Sequence, residues 1–531
     1  TNMENIDVVV IGAGISGLTF AKTYLEIHPN STSITILESS TSLGGTWACD
    51  RLYPALKTNN QLGTYESPDF AMDPEVFGVK AREHMPGTVV YEYLEAFARR
   101  FDVLERIRFG WKVEEVSEDG DGGWVINVEG EKNIRAKKLV LATGLTGNPN
   151  MPSIPEAAEF GGPVYHAKDF VQHKDLLHTA KKVAVYGASK SGWDAVYAYA
   201  SAGVRVEWVI RETGRGPCWM TPSWVMGGRV WIEKLVMTRI LTWFGPTIWG
   251  ADDGYGFWKR LLHQTVLGRF VVRKFWGLLE KDILGINGFD SHPEMKKLKP
   301  WSGSFWSGTS LSNHNYPTDF YDYVTNGLVK VYHGDITNLS PHTVHLSSGE
   351  ALKIDALHCS TGWKHEPAIK FIPPSLATEL GLPCSGNPVD EKTTAKADAE
   401  ILSRLPILRD QPNVRPKGDA KNTPTEDNAT PYRLYRHMIP PARAQSRNFA
   451  IACALLSYSQ FIAAQIQALW VIAYFDSKLP LTRTAEEMSY EAELCQRFGR
   501  WRYAGGGGEN VPNFVFESLP YFDELLGDLG L

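Results

Sequence analysis

A glycine-rich turn near the start of the chain has the residue types and the spacing that bind a pyrophosphate. Gly12, Gly14 and Gly17 follow the β-branched strand 7–11 and precede a helical pattern. Such glycines allow a tight turn and close backbone approach, and the helix N-terminus offers unpaired N–H groups to the anion. The next strand, SITILE, ends in Glu38, whose carboxylate can accept hydrogen bonds from a ribose. We therefore expect a dinucleotide site here; the alternative is a glycine-rich turn of an ordinary parallel sheet.

A second turn of the same kind, in VAVYGASKSG, departs from the pattern at one position. Gly187 and Gly192 hold the outer positions, but Ser189 stands where the second glycine is expected. A Cβ there predicts a looser hold on the pyrophosphate, although the hydroxyl could instead bond the phosphate and tighten the site. The following strand ends at Arg211, whose guanidinium can pair with a 2′-phosphate, and Lys190 can add charge. The alternative for Arg211 is a solvated strand end.

Length and composition limit the classes of protein to which this chain can belong. A chain of 531 residues is longer than one hydrophobic core supports, so we expect two domains, or one domain with large insertions. A net charge of -6 predicts no nucleic-acid partner, because no basic patch is implied. The six cysteines have neither CxxC nor metal-ligand spacing, which predicts a reduced protein without a metal site. Since no signal-peptide pattern precedes the first strand, we expect a cytoplasmic protein.

Two apolar regions raise the question of membrane contact. Residues 448–475 contain no charged side chain and are long enough to cross a bilayer. Serines and glutamines interrupt them, so we predict a buried strand followed by a buried helix. Residues 217–276 are rich in tryptophan but are broken up by charges such as Arg229 and Glu233. We expect helical cover over a cavity there, with peripheral membrane contact that does not span the bilayer as the weaker alternative.

A GG-x-W motif and two Thr-Gly strand ends accompany the two turns. Gly44, Gly45 and Trp47 form the motif, and the Thr-Gly pairs close strands at 143–144 and 361–362. In these features the chain resembles the flavin-dependent monooxygenases that use NADPH, the group of flavin-containing monooxygenases, Baeyer–Villiger monooxygenases and N-hydroxylases. The resemblance implies FAD at the first turn and NADPH at the second.

The segment FGGPVYHAKDF, between the two turns, is similar to a fingerprint of the same family. Its matching positions are Phe160, Gly162, His166 and Phe170. In the family the last position is Trp in most Baeyer–Villiger enzymes and Tyr or Phe in flavin-containing monooxygenases, so Phe170 resembles the latter. The resemblance implies a structural or conformational role for His166. Residues 298–324 also resemble fungal secondary-metabolism monooxygenases.

The resemblance assigns a set of cofactor-binding residues to each turn. The FAD set is Gly12, Gly14, Ser16, Gly17, Glu38, Gly45, Thr46, Trp47, Val113, Thr143 and Gly144. The NADPH set is Gly187, Ser189, Lys190, Ser191, Gly192 and Arg211. No Ser-His-Asp set is needed, because the cofactor supplies the reactivity and the protein supplies binding, hydrogen bonds and a dry cavity.

Asn59 is the one catalytic candidate. In the family a polar residue from the stretch after GG-x-W flanks the flavin, and here that stretch is RLYPALKTNN. Asn59 stands where Baeyer–Villiger enzymes usually carry Asp and flavin-containing monooxygenases carry Asn, whereas the Tyr53-Pro54 pair resembles the Baeyer–Villiger group. The alternative for Asn59 is a loop-capping amide.

These observations predict an α/β fold with two Rossmann-like dinucleotide-binding domains and a helical insertion. The FAD domain is expected at 1–175 and 326–531, and the NADPH domain at 176–325, with the insertion at about 214–300. The function implied is NADPH- and O2-dependent monooxygenation, through a flavin hydroperoxide, of a hydrophobic small molecule at nitrogen, sulfur or carbon. Baeyer–Villiger oxidation of a ketone is the alternative within the class. An NADPH-dependent disulfide reductase is the alternative outside it, and it would need a close cysteine pair.

Overall fold

The strand that leads into each glycine-rich turn lies inside its own sheet of mainly parallel strands. The computed structural model describes residues 3–30, 33–130, 132–249, 256–308, 311–384, 390–412, 414 and 430–531. In the first sheet, Glu4–Ile11 lies between Ile34–Glu38 and Lys132–Leu141 and runs parallel to both. Residues 8–10 are fully buried, as expected of a parallel strand covered on both faces.

Eight strands form this first sheet. Their order across it is Lys370–Ile372, Val113–Glu118, Trp124–Val128, Lys132–Leu141, Glu4–Ile11, Ile34–Glu38 and Ile107–Phe109, with Phe449–Ile451 as a further partner of Lys132–Leu141. The pairs made by Trp124–Val128 are antiparallel and the others are parallel. The chain therefore leaves this sheet after residue 141 and returns at 370 to complete it.

The second sheet has five strands, all parallel. Their order is Val164–His166, Ala356–Cys359, Lys182–Tyr186, Arg205–Ile210 and Val329–His333. The α/β fold class with two such cores is as predicted. A division at residues 176 and 325 would separate three of these strands from their sheet, so the hydrogen bonding favours a wider second unit, and the domain boundaries stay a prediction.

A helix follows each glycine turn, as a strand-turn-helix unit requires. Ile15–Ile27 follows the first turn and Lys190–Ser201 the second. The other helices of eight or more residues are Gly87–Arg100, Gly256–Gln264, Val266–Asn287, Glu391–Arg404, Gln460–Phe475, Ala485–Arg502 and Ser518–Asp528. The shorter ones are Pro74–Phe77, Leu176–Thr179, Ile232–Val236, Arg239–Phe244, Pro293–Lys296, Phe320–Thr325 and Ser375–Glu379.

Short strand pairs complete the fold and join its parts. Within or beside the insertion they are Trp219–Thr221 with Leu311–Asn313, and Trp224–Val225 with Val230–Trp231. Elsewhere they are Lys57–Gln61 with His84–Pro86, Asn148–Pro149 with Trp363–Lys364, Leu456–Ser457 with Asn513–Phe514, and a three-stranded sheet of Ile336–Ser340, Thr343–Leu346 and Ala351–Lys353. The insertion is helical as predicted, although its residues 250–255 lie outside the described residues.

The uncharged segment 448–475 is a buried strand followed by a buried helix, as predicted. Phe449–Ile451 pairs with the first sheet, and Gln460–Phe475 packs on the helix after the first turn. The rings of Phe20 and Phe475 meet edge to face at 6.4 Å between centroids. Among the helices of the described residues, none is both long and apolar enough to cross a membrane.

Candidate active site

The first glycine turn accepts only glycine at its outer positions. Gly12 has φ +109°, and a Cβ on it would lie 2.4 Å from the carbonyl oxygen of Ala142. A Cβ on Gly17 would lie 2.0 Å from the carbonyl oxygen of Gly12. Both neighbours are backbone atoms that cannot move aside. The turn is therefore held tightly between the first helix and the end of strand 132–141.

The middle glycine of this turn lines an anion cradle. A Cβ on Gly14 would lie 3.7 Å from the Cα of Gly45, and a Cβ on Gly45 would lie 3.2 Å from the Cα of Gly14. The Gly44 N–H donates to the Ala13 carbonyl at 2.9 Å, which fixes the two loops against each other. Helix Ile15–Ile27 has no side-chain cap and no acid in its first turn. Its N–H groups are therefore open to a pyrophosphate, and side chains at these glycines would fill the cradle.

Glu38 is buried beside this cradle and is oriented by backbone donors. Its Oε2 accepts from the Ala13 N–H, and its Oε1 from the Ser40 N–H, each at 2.8 Å. The lone pairs that remain on the carboxylate can still accept from a ribose. The Glu38 carbonyl accepts from the Trp111 N–H at 2.8 Å, which brings the start of strand 113–118, with the buried Val113, to the same place.

The remaining residues of the predicted FAD set surround the turn. Thr46 Oγ1 lies 3.0 Å from Thr146 Oγ1, and Trp47 Nε1 donates to the Tyr65 hydroxyl at 3.0 Å. Burial raises the pKa of Tyr65 to about 12, so this phenol stays protonated. The further members of the set are Ser16, which hydrogen-bonds the Cys453 thiol, Thr143, which lies beside Gly12, and Gly144, with φ +67°. The structure thus brings the whole predicted FAD set together.

The second glycine turn repeats the geometry of the first at its outer positions. A Cβ on Gly187 (φ +117°) would lie 2.2 Å from the Ser360 carbonyl oxygen, and one on Gly192 would lie 2.4 Å from the Gly187 carbonyl oxygen. Ser189 is the residue that precedes helix Lys190–Ser201, and its hydroxyl caps no backbone N–H. Its Oγ lies 3.2 Å from Ser191 Oγ instead. The helix N–H groups are therefore open to an anion here as well.

Lys190 and Arg211, the two basic residues of the predicted NADPH set, differ in their contacts with the rest of the protein. Lys190 forms an ion pair with Asp194 and donates to Asn315 Oδ1 at 3.0 Å. Its ammonium also lies 4.9 Å from the centre of the Tyr316 ring. Arg211 is half-buried, and its guanidinium makes no ion pair or hydrogen bond within the part of the chain that the structure describes. This favours Arg211 over Lys190 as the residue free to meet a 2′-phosphate.

Asn59 lies on strand Lys57–Gln61, which bridges the two parts of the site. Its carbonyl accepts from Asn313 Nδ2 at 2.8 Å, and Asn313 Nδ2 also lies 3.0 Å from the Tyr458 hydroxyl. The side-chain Oδ1 of Asn59 is shielded from solvent and accepts no hydrogen bond from the described residues. A shielded amide oxygen without a donor is costly, so this position is suited to a ligand that supplies one.

Asp194 and Asn315 link the helix of the second turn to Tyr53 and to the bridging strand, respectively. Its carboxylate accepts from the hydroxyls of Tyr53 and Tyr316, each at 3.0 Å, and pairs with Lys190. Asn315 Nδ2 donates to the Thr58 carbonyl at 3.1 Å. The Tyr-Pro stretch and the second turn are therefore parts of one hydrogen-bond network.

Glu233 is a residue at the site that the sequence analysis treated only as an interruption of the tryptophan-rich block. It is fully buried, accepts from the Gln61 N–H at 3.0 Å, and also accepts from the Thr64 hydroxyl. Burial raises its pKa, against these hydrogen bonds, which lower it. The insertion is thus attached directly beside Asn59. In the sequence, the one indication that Glu233 is buried is that a charged residue interrupts a run of apolar residues.

His166 is held at the link between the sheets. Its Nδ1 accepts from the Lys168 N–H at 3.1 Å, so its Nε2 carries the proton and donates to the Gly362 carbonyl at 2.9 Å. Desolvation lowers its pKa. The nearby Phe170 is buried against Tyr53 and Tyr199. These contacts suit a structural residue.

A cavity of about 590 Å³ lies between the C-terminal part of the insertion and residues 303–306 and 407–410, and not at either turn. Trp276, Glu280, Phe305 and Trp306 contribute to its lining, which includes no residue of the two glycine turns or of the bridging strand. Of the tryptophan-rich residues 217–276, Arg273 and Trp276 line this cavity, and the role of the block as cover over a cavity stays a prediction.

All six cysteines are free thiols, so none forms a redox disulfide. Within the described ranges, no cluster of three His, Cys, Asp or Glu side chains could hold a metal ion.

Comparison with known proteins agrees with this geometry. Residues 9–230 match a family described as pyridine nucleotide-disulphide oxidoreductase. The chain is 34% identical to the FAD-dependent monooxygenase resA of Aspergillus sclerotiorum, over 99% of this chain and 93% of the relative. It is 33% identical to an FAD-dependent monooxygenase of Pyrenophora dematioidea, over 99% and 98% of the two chains.

A solved structure shares the fold at low sequence identity. The structure of an oxidized steroid monooxygenase bound to NADP covers 99% of this chain and 98% of its own, with a TM-score of 0.62 and 16% identity. The fold of this chain, with its two sheets, is therefore similar to that of this solved structure.

Proposed function

The chain belongs to the FAD-dependent monooxygenases, and from that premise we propose that it uses NADPH and molecular oxygen to oxygenate a hydrophobic small molecule at nitrogen, sulfur or an activated carbon. FAD, when bound and reduced, activates oxygen. The observation that carries the proposal is the second anion cradle at Gly187 and Gly192, whose helix is joined to the strand of Asn59 through Lys190 and Asn315. The relative bound to NADP supports the choice of the nicotinamide.

In the proposed oxygenation, the protein itself contributes binding, orientation and exclusion of water. The first turn and Glu38 bind the FAD pyrophosphate and ribose in this proposal, and the second turn binds NADPH. Asn313 holds the backbone of Asn59, whose shielded Oδ1 accepts no hydrogen bond from the described residues and is available to a bound ligand. Preorganised polar groups of this kind act without rearrangement during the reaction.

The test is a measurement of NADPH consumption and hydrogen peroxide release against a panel of amines, thioethers, ketones and phenols. Substrate-accelerated consumption with little peroxide supports monooxygenation, and the responding class identifies the chemistry. Acceleration by ketones alone, with ester products, would favour Baeyer–Villiger oxidation, as the Tyr53-Pro54 pair suggests. No NADPH consumption in the FAD-loaded protein would contradict the proposal.

Arg211→Ala is expected to remove most of a preference for NADPH over NADH. Loss of a charge-assisted contact costs about 1.5–3 kcal/mol, which is roughly a 10- to 150-fold loss of discrimination. The measurement is kcat/KM for flavin reduction with each nicotinamide. Arg205→Ala is the matched control, because Arg205 is exposed at the opposite end of the same strand. Unchanged selectivity in Arg211→Ala would assign the 2′-phosphate to another residue.

A cytoplasmic location with peripheral membrane contact is part of the same proposal. Its support is the tryptophan-rich insertion, which carries exposed aromatic side chains such as Phe257 and Trp258. A hydrophobic substrate would itself partition into a membrane.

A further inference from the structure

The helix pair Gly256–Gln264 and Val266–Asn287 presents an exposed apolar surface, here called the apolar face. Its members are large hydrophobic side chains that solvent reaches: Phe257, Trp258, Leu261, Val266, Leu267, Phe270, Val271 and Leu278. Val266 is 78% exposed, Leu267 73% and Phe257 62%. Elsewhere on the described surface such residues are scattered singly, as at Val76. Single exposed apolar residues are ordinary, whereas a contiguous group marks an interaction surface.

The helix that carries most of this face is anchored on its other side. Val272, Trp276, Leu279 and Ile283 are buried at the spacing of one helical face. A Cβ on Gly268 would lie 2.0 Å from the Leu261 carbonyl oxygen, so the two helices cross in close contact. The apolar face is therefore the outer side of a fixed helix that lies along the surface of the protein.

Charge distinguishes this face from the rest of the protein. Residues 256–279 contain Lys259, Arg260, Arg269, Arg273 and Lys274 and no acidic residue, in a chain of net charge -6. Arg260 and Lys274 are exposed. Arg273 is paired with Asp410 and is less available. Exposed aromatic and aliphatic side chains beside basic ones are the pattern of a helix that lies in the interface of an anionic bilayer.

We propose that the apolar face docks this protein on the surface of a bilayer that contains anionic lipids. The apolar side chains enter the headgroup boundary, and Arg260 and Lys274 contact the anionic headgroups. This inference rests on the proposed peripheral membrane contact and not on the oxygenation chemistry. A second copy of the chain would gain no charge complementarity from this face, because it would bring two basic surfaces together.

The test is flotation of the FAD-loaded full chain with vesicles of phosphatidylcholine alone or with phosphatidylserine. We expect binding that requires phosphatidylserine and weakens at high salt. Leu267→Glu/Phe270→Glu should abolish it, because two charges would enter the apolar layer. Arg260→Gln/Lys274→Gln should weaken it by about fivefold for each residue. Val76→Glu is the matched control, since Val76 is 72% exposed on a different helix.

Three outcomes would overturn the inference: no flotation of the parent protein, flotation that Leu267→Glu/Phe270→Glu leaves intact, or a dimer in light scattering that this variant alone dissociates. FAD content and NADPH consumption report separately on the proposed function. Both should stay at the parent level in these variants, because the exposed side chains of the apolar face lie outside the two turns and the bridging strand.

Discussion

Asn59→Ala is expected to keep FAD bound and to accept electrons from NADPH, yet to release hydrogen peroxide in place of oxygenated product. Neither FAD binding nor reduction requires the amide of Asn59, whose Oδ1 is shielded and unpaired among the described residues. If this amide contacts the cofactor during oxygen activation, its loss removes about 3–4 kcal/mol of stabilisation, by analogy with the loss of one preorganised hydrogen-bonding group. That is enough to divert most turnovers.

Rapid mixing of the reduced protein with oxygen provides the measurement. The near-ultraviolet absorbance that develops on mixing should decay faster in Asn59→Ala than in the parent, with a matching rise in peroxide. Asn60→Ala is the matched control, because the adjacent amide points to the other side of the strand and makes two long hydrogen bonds of 3.4 Å. Equal decay and equal coupling in Asn59→Ala would make Asn59 a loop-capping amide only.

Arg502→Met is expected to lower the free energy of unfolding by about 3–5 kcal/mol, because it leaves the Glu517 carboxylate buried without its cation. Both side chains are almost completely buried, and Arg502 Nε donates to Glu517 Oε1 at 2.8 Å. The guanidinium also donates to the Phe305 carbonyl and lies 4.6 Å from the centre of the Phe305 ring. Arg502 thus attaches helix Ala485–Arg502 to the segment that follows the insertion.

Urea unfolding of the FAD-loaded protein, followed by tryptophan fluorescence, measures this loss. Arg500→Met, on the same helix, removes a partly exposed pair with Glu509 and should cost less than about 1 kcal/mol. Arg502→Met/Glu517→Leu should recover much of the loss, since a buried pair replaced by apolar side chains is often tolerated. An Arg502→Met variant as stable as Arg500→Met would refute the role of the pair.

The parts of the site that could be predicted from the sequence are those that depend on local backbone geometry. Gly12 and Gly187 have positive φ in turns that follow a strand and precede a helix, and the residues next to them along the chain show this strand-turn-helix pattern. The strands and helices around the turns follow from the same local patterns. The FAD-dependent monooxygenase family was also predicted, because its motifs are short and continuous.

The parts that could not be predicted depend on contacts between distant segments. Glu233 meets Gln61, and Asn313 meets Asn59, across long stretches of chain that only tertiary packing brings together. The hydrogen bond from Lys190 to Asn315 also joins distant segments, and Lys190 is paired with Asp194 as well. These contacts leave Arg211, and not Lys190, available for a ligand at the second turn. Such contacts between distant residues cannot be predicted from the periodicity or the spacing of residues in a single sequence.

The return of the chain to the first sheet determines the order in which the two sheets can be completed during synthesis. Every strand of the second sheet lies between residues 164 and 359. The first sheet needs Phe449–Ile451 against Lys132–Leu141, and the helix after its turn packs on Gln460–Phe475. As the chain emerges from the ribosome N-terminus first, the second sheet can close while the first sheet still lacks its last strand. The first sheet contains the strand that is translated earliest, yet it is completed after the second sheet.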